Sequence, residues 1–220
     1  MGRPGSKAVS RGGRPSRTEA LLLRERILEV ATVQFLAEGY GSTTIEAIAS
    51  RAGVSKRTLY DRFDDKPSLF AAVVHRIIAQ IRPPTDVPLL VGATLPDVLQ
   101  RLAGLILAAA LSAPALSLHR LVSAESARFP ELVRAVNSEG STREGTALIA
   151  DLLGRELRTA KLSAADRRFA AELFIHMVVS TPQRRAMGFG TPMSAAELDA
   201  WCNQVVRLFL NGVRHFREPA

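Results

Sequence analysis

A single cysteine, Cys202, stands among 220 residues. An internal disulfide is therefore excluded, and nothing ties the chain to an oxidising compartment. Aromatic side chains make up only 5% of the sequence, while alanine and leucine are abundant; that balance favours helices over strands. No apolar run is long enough to span a bilayer. The best candidate, Leu102–Leu118, is interrupted by Ser112, Pro114 and Ser117 and falls short of the roughly 20 residues required. The opening MGRPGSKAVSRGGRPSR has no apolar core and does not read as a secretory signal. Glycine-rich phosphate loops and Gly-x-Ser-x-Gly are missing, and the four histidines (75, 119, 176 and 215) do not stand in zinc-type spacing. Cys202 lies within an apolar helical stripe, which suits core packing better than nucleophilic chemistry. These absences argue against an enzyme, a cofactor, a metal and a membrane, and for a cytoplasmic protein.

What is present is basic charge, unevenly placed. Residues 1–82 carry 14 Lys/Arg against 8 Asp/Glu, and the remainder 15 against 13. Five basic side chains and no acidic one fall in the first 17 residues. A basic head on a near-neutral body suits nucleic-acid binding, although basic tails are also common as solubilising disorder.

Helical periodicity runs through the chain. Ile27, Ala31 and Phe35 recur every four residues in a helix over 18–38, stopped at Gly39. Ile45, Ile48, Ala49 and Ala52 mark a short second helix that Thr43 or Thr44 can cap. Ser55 is placed to cap a third, extending through Arg62. A fourth opens at Lys66-Pro67 and ends at Pro83-Pro84. Residues 83–96 read as a Pro/Gly linker. Helices are then expected at about 96–112, 115–136, 138–160, 163–181 and 194–216, with capping signals at Ser163-x-x-Asp166 and Ser194-x-x-Glu197 and a stop at Pro182. The expected fold is all-α. The expected boundaries are a basic disordered arm (1–17), an amino-terminal helical unit (18–82) and a larger helical unit (83–220).

The segment TIEAIASRAGVSKRTLYDRF, 44–63, has the composition that two short crossing helices need. Ala49 and Ala52 are small contacts, Gly53 can adopt positive φ in the turn, and Ile45, Ile48, Val54, Leu59 and Phe63 supply the wedge. Ser55, Lys56, Arg57, Thr58, Tyr60 and Arg62 are left as a polar, mainly basic face fit for a major groove. On these residues the run 27–70 resembles the amino-terminal domain of the TetR family. It matches the pattern T-x-x-x-IA-x-x-AGVS-x-x-T-L-Y-x-x-F-x-x-K-x-x-L at every position, with Arg62 where a histidine is common. A second segment, AESARFPEL at 124–132, resembles part of some carboxy-terminal domains of that family.

The resemblance implies that Thr44, Tyr60 and Lys66 hold phosphates, that Ser55–Thr58 lie nearest the bases, and that Arg57 reads a guanine. The competing roles are capping for Thr44 and Ser55, packing for Tyr60, and simple solvation for Lys56 and Arg62. Arg11 and Arg14 resemble a loosened minor-groove hook. The implied partners are a double-stranded DNA operator, a second copy of the chain and a small-molecule effector of unknown identity. The homodimer is expected through Phe169, Leu173, Phe174, Trp201, Val205, Phe209, Val213 and Phe216, unless those stripes face the subunit's own core. Candidate effector contacts are His119, Arg120, Glu125, Phe129, His176, Met177 and Trp201, with core packing or a surface position as the competing role and an Arg120–Glu125 pair as another. Together these imply a ligand-responsive repressor, with an amino-terminal three-helix helix-turn-helix DNA-binding domain (18–82, motif 44–63) followed by a larger helical regulatory, ligand-binding and dimerisation domain (83–220); a sequence-indifferent architectural DNA binder is the alternative.

Overall fold

The computed structural model describes residues 17–82, 94–138, 141–156 and 162–214. Among them are ten α-helices and no strand. The first four are α1 (Arg17–Glu38), α2 (Ile45–Arg51), α3 (Lys56–Tyr60) and α4 (Lys66–Ile81). Then come α5 (Leu95–Ala110), α6 (Ala113–Glu125), α7 (Glu131–Ser138), α8 (Ser141–Glu156), α9 (Ala164–Ala186) and α10 (Ala195–Arg214). Local chemistry sets most of the starts. Asp65 and Ser68 form a reciprocal capping box at α4, with Pro67 in its first turn. Ser163 with Asp166 and Ser194 with Glu197 do the same at α9 and α10. Ser112 caps α6.

The described residues form two apolar clusters. One holds the buried faces of α1–α4 together with Leu118 and Leu121 of α6 and Leu132 and Ala135 of α7. The other gathers α5, α8, α9 and α10 around Leu99, Leu153, Phe174, Val206 and Phe209. The most apolar stretch of the sequence is split between α5 and α6, which bend by 64° at residues 111–112, and no single helix among the described residues is long and apolar enough to cross a membrane.

Two proline sites depart from the sequence expectation, in opposite directions. The helix expected over 115–136 is broken at 126–130, because Pro130 has no N–H and pushes Phe129 out of the helical region. The stop expected at Pro182 does not occur: Pro182 lies inside α9, which continues to Ala186. Proline there deprives the Val178 carbonyl of its helical donor, and the Trp201 indole N–H donates to that oxygen instead, at 3.0 Å. The third helix is also shorter than expected, ending at Tyr60.

A further correction concerns the apolar stripes. Phe174, Val205, Phe209 and Val213 are at most 5% exposed within the single chain, so they form its own core and have no surface left for a second subunit. A stripe of apolar side chains is buried by whichever surface lies opposite, and here that surface is the rest of the same bundle. Phe169 and Leu173 do face outward, 54% and 44% exposed, joined on α10 by Leu208 at 65%. Trp201 is half-buried, and Phe216 lies outside the described residues.

Candidate nucleic-acid interface

The turn between α2 and α3 explains why the two helices cross where they do. Ala52 and Val54 donate to Ile48 and Ala49 carbonyls at 2.9 and 3.0 Å. Gly53 between them sits at φ +64°, a left-handed conformation that a side chain disfavours. Ile48, Ala49, Ala52, Leu59 and Phe63 are all buried and pin the pair against α1 and α4.

Thr44 and Ser55 both serve as N-caps. Thr44 Oγ1 accepts from the Ala47 amide at 3.1 Å, and Ser55 Oγ accepts from the Thr58 amide at 3.0 Å. Lys56, Arg57 and Tyr60 are exposed on α3, and Thr58 is half-buried. Lys56 forms an ion pair with Glu46 of α2 and places its ammonium 5.8 Å from the centre of the Tyr60 ring. The hydrogen bond between them holds the Glu46 carboxyl below its ordinary value and raises the Lys56 ammonium above its own. Arg62 points elsewhere: its guanidinium donates to the Ala20 carbonyl of α1 at 3.1 Å.

Lys66 has structural partners as well. Its ammonium lies 4.4 Å from the Tyr40 ring centre and 3.5 Å from the Gly41 carbonyl oxygen. Burial lowers its affinity for a proton, opposed by the Glu125 and Glu131 carboxylates. Arg11 and Arg14 lie outside the described residues.

The seven residues expected around an effector are not brought together. Glu125 and Phe129 belong to the contact between the α6–α7 turn and the α1–α2 loop. Met177 and Trp201 pack on the carboxy-terminal cluster. His119 and His176 are exposed. Arg120 does not pair with Glu125 but donates to the Ala186 carbonyl at 3.2 Å. A groove of about 670 Å³ lies instead between α5 and α10, lined by residues that include Asp97, Gln100, Asn203, Gln204 and Arg207. Cys202 is buried, and burial with the nearby Asp199 raises its thiol, the reverse of what a nucleophile needs. No cluster of His, Cys, Asp or Glu among the described residues could hold a metal ion.

Sequence reasoning missed Glu46, Tyr40 and Glu131 as partners of these cations. The AESARFPEL resemblance was the available signal for Glu131; nothing local pointed to the other two.

A paired short-helix motif with a basic, exposed second helix is matched by comparison with known proteins. Residues 27–73 match the family model described as bacterial regulatory proteins, tetR family. Residues 97–212, more than half the chain, match the AefR-like transcriptional repressor C-terminal domain. The chain belongs to the TetR family of DNA-binding transcriptional regulators.

Among curated relatives, this TetR-family chain is 41% identical over 66 residues to the HTH-type transcriptional activator FasR of Mycolicibacterium smegmatis, covering 30% of this chain and 29% of FasR. It is 36% identical over 63 residues to the HTH-type transcriptional repressor BepR of Brucella suis, covering 29% and 30%. The match therefore spans under a third of either relative. Solved structures match along nearly their whole length. A TetR-family regulator from Mesorhizobium loti is 30% identical with a TM-score of 0.72, over 90% of this chain and 98% of that one. The flavonoid-responsive regulator FrrA shares the fold, with a TM-score of 0.73 at 24% identity, over 87% and 96%.

Proposed function

We propose that this TetR-family regulator is a ligand-responsive cytoplasmic repressor that binds a palindromic operator as a homodimer. The observation that carries the reading is α3: a helix capped by Ser55 and wedged by Leu59, with Arg57 and Tyr60 exposed on its outer side. Arg57 carries a planar fork suited to the guanine O6/N7 pair. Ser55, Lys56 and Thr58 accompany it nearest the bases, and Thr44, Tyr60 and Lys66 present hydroxyls and an ammonium to the phosphates on either side. Arg62, held against α1, supports this surface from behind, and Arg11 and Arg14 add affinity from the arm.

Homodimerisation is supported by the outward apolar side chains Phe169 and Leu173 on α9 and Leu208 on α10. Joining two copies there would make a four-helix interface and set two recognition helices about 34 Å apart or a multiple of it. An effector that favours a conformer with the wrong spacing releases the operator. A hundredfold loss of affinity needs only about 2.7 kcal/mol of coupling.

The test is selection of the purified chain against randomised duplex DNA at moderate salt, followed by sequencing of what is retained. An enriched inverted repeat is expected. A retained pool that stays random would overturn this reading and favour the architectural alternative.

A further inference from the structure

We propose that Glu125 is a positioning residue for DNA binding: from the end of α6 its carboxylate clamps the α1–α2 loop and so sets how the helix-turn-helix stands on the body. Neither the recognition helix nor the outward apolar face of α9 and α10 takes part in this contact. Glu125 Oε1 accepts from the Tyr40 amide at 2.8 Å, and Oε2 accepts from the Gly41 amide at 2.7 Å. A carboxylate is the side chain that can take two adjacent backbone N–H groups with one oxygen each.

The loop is shaped to admit it. Gly39 sits at φ +88°, and a Cβ there would lie 2.6 Å from Oε1. At Gly41 a Cβ would lie 3.1 Å from Oε2 and 3.1 Å from the Phe129 ring. Tyr40 between them is 2% exposed, packed by Phe35, Phe70 and Phe129, and its hydroxyl donates to Glu131 at 3.2 Å. Lys66 closes the other side over the Tyr40 ring. Glu125, Phe129 and Glu131 all come from the AESARFPEL segment, which thereby gains a task.

The mechanical consequence follows from chain length. Thr44, the cap of α2, is three residues beyond Gly41. Fixing Gly41 fixes the start of α2, and the tight Gly53 turn carries α3 with it. Electrostatics alone predicts the opposite outcome on mutation, because deleting a carboxylate beside the cation Lys66 should strengthen binding to a polyanion.

The functional half of this inference rests on the operator reading above, and the experiment separates the two. Glu125→Gln and Gly41→Ala, singly and together, are compared with the full-length wild type by residue-resolved amide exchange and by affinity for a duplex that the wild type retains. Glu125→Gln keeps the volume but removes the charge and one acceptor; Gly41→Ala leaves charge untouched and presses on the clamp from the loop side. The expected results are exchange at Tyr40 and Gly41 at least about tenfold faster in Glu125→Gln, and affinity roughly tenfold weaker in each single variant. The double variant should be little worse than either, with the preferred base sequence unchanged and exchange in α8–α10 unaltered. Unchanged exchange at the two amides, or affinity equal to or tighter than wild type in Glu125→Gln, overturns the clamp. Loss of base preference in Arg57→Ala, measured beside them, reports on the operator reading independently.

Discussion

The amino-terminal cluster and the carboxy-terminal cluster are made from similar side chains but are closed differently. The first stacks Phe35, Tyr40, Phe70 and Phe129 with ring centres 5.0–5.6 Å apart. It is tied by polar contacts between segments distant in sequence: Glu125 to the Tyr40–Gly41 loop, Arg51 to Glu38, Arg76 to Glu25. The second is filled mainly by Leu, Val and Ala, with Phe174 and Phe209 paired within it. It draws on α8, α9 and α10, which follow one another, plus α5. The difference shows that the DNA-binding helices do not complete their own core. They borrow α6 and α7 from beyond the 83–93 segment, so any rearrangement of those two helices reaches the helix-turn-helix directly.

The sharpest way to break this comparison is a pair of cavity mutations. Phe174→Ala should cost about 3–5 kcal/mol and Leu132→Ala about 2–5 kcal/mol. Their exchange footprints should differ: Phe174→Ala loosens α5 and α8–α10, whereas Leu132→Ala loosens α1 and α4, although residue 132 is far along the chain. If Leu132→Ala instead loosens α8–α10, the division into two clusters is wrong. Smaller is Trp201→Phe, which strips the donor from the Val178 carbonyl; a destabilisation of about 1–3 kcal/mol is expected, with faster exchange confined to the α9 turns around Pro182. Gly53→Ala tests the other cluster. The added Cβ would meet only Arg26, at 3.8 Å, so the cost is backbone strain alone, about 1–2 kcal/mol by urea denaturation.

The smallest effect expected is with pH. Hydrogen bonds from Thr94 lower the Asp97 carboxyl, and those from Ser194 lower Glu197. A carboxyl lowered in the folded state stabilises it fully above the ordinary carboxylate range and loses that contribution as pH falls through the lowered value. Acidification should therefore fray the first turns of α5 and α10, both in the carboxy-terminal cluster, as read by amide exchange.

Much of this was legible in the sequence. The α2–α3 motif was readable because its constraints are local: small residues at the crossing, glycine in the turn, hydroxyls at the caps. Capping boxes at Ser163 and Ser194 were readable for the same reason. The roles of Arg62 and Glu125 were not, since each is defined by a backbone group more than 40 residues away. Glu125 was expected at an effector or paired with Arg120; its partners are the Tyr40 and Gly41 amides.

What the sequence determined by itself is where the capped helices begin, which faces are apolar and which short helix carries exposed cations, because caps, periodicity and glycine act within a few residues. What the tertiary structure decided is which partner each face meets. Hydrophobic burial has no direction, so the stripes of α9 and α10 could not say that Phe174 and Phe209 face inward while Phe169, Leu173 and Leu208 face out. The prolines show the same limit. Pro130 ends a helix and Pro182 does not, because the carbonyl orphaned by Pro182 finds the Trp201 N–H, a donor that only the folded chain brings within reach.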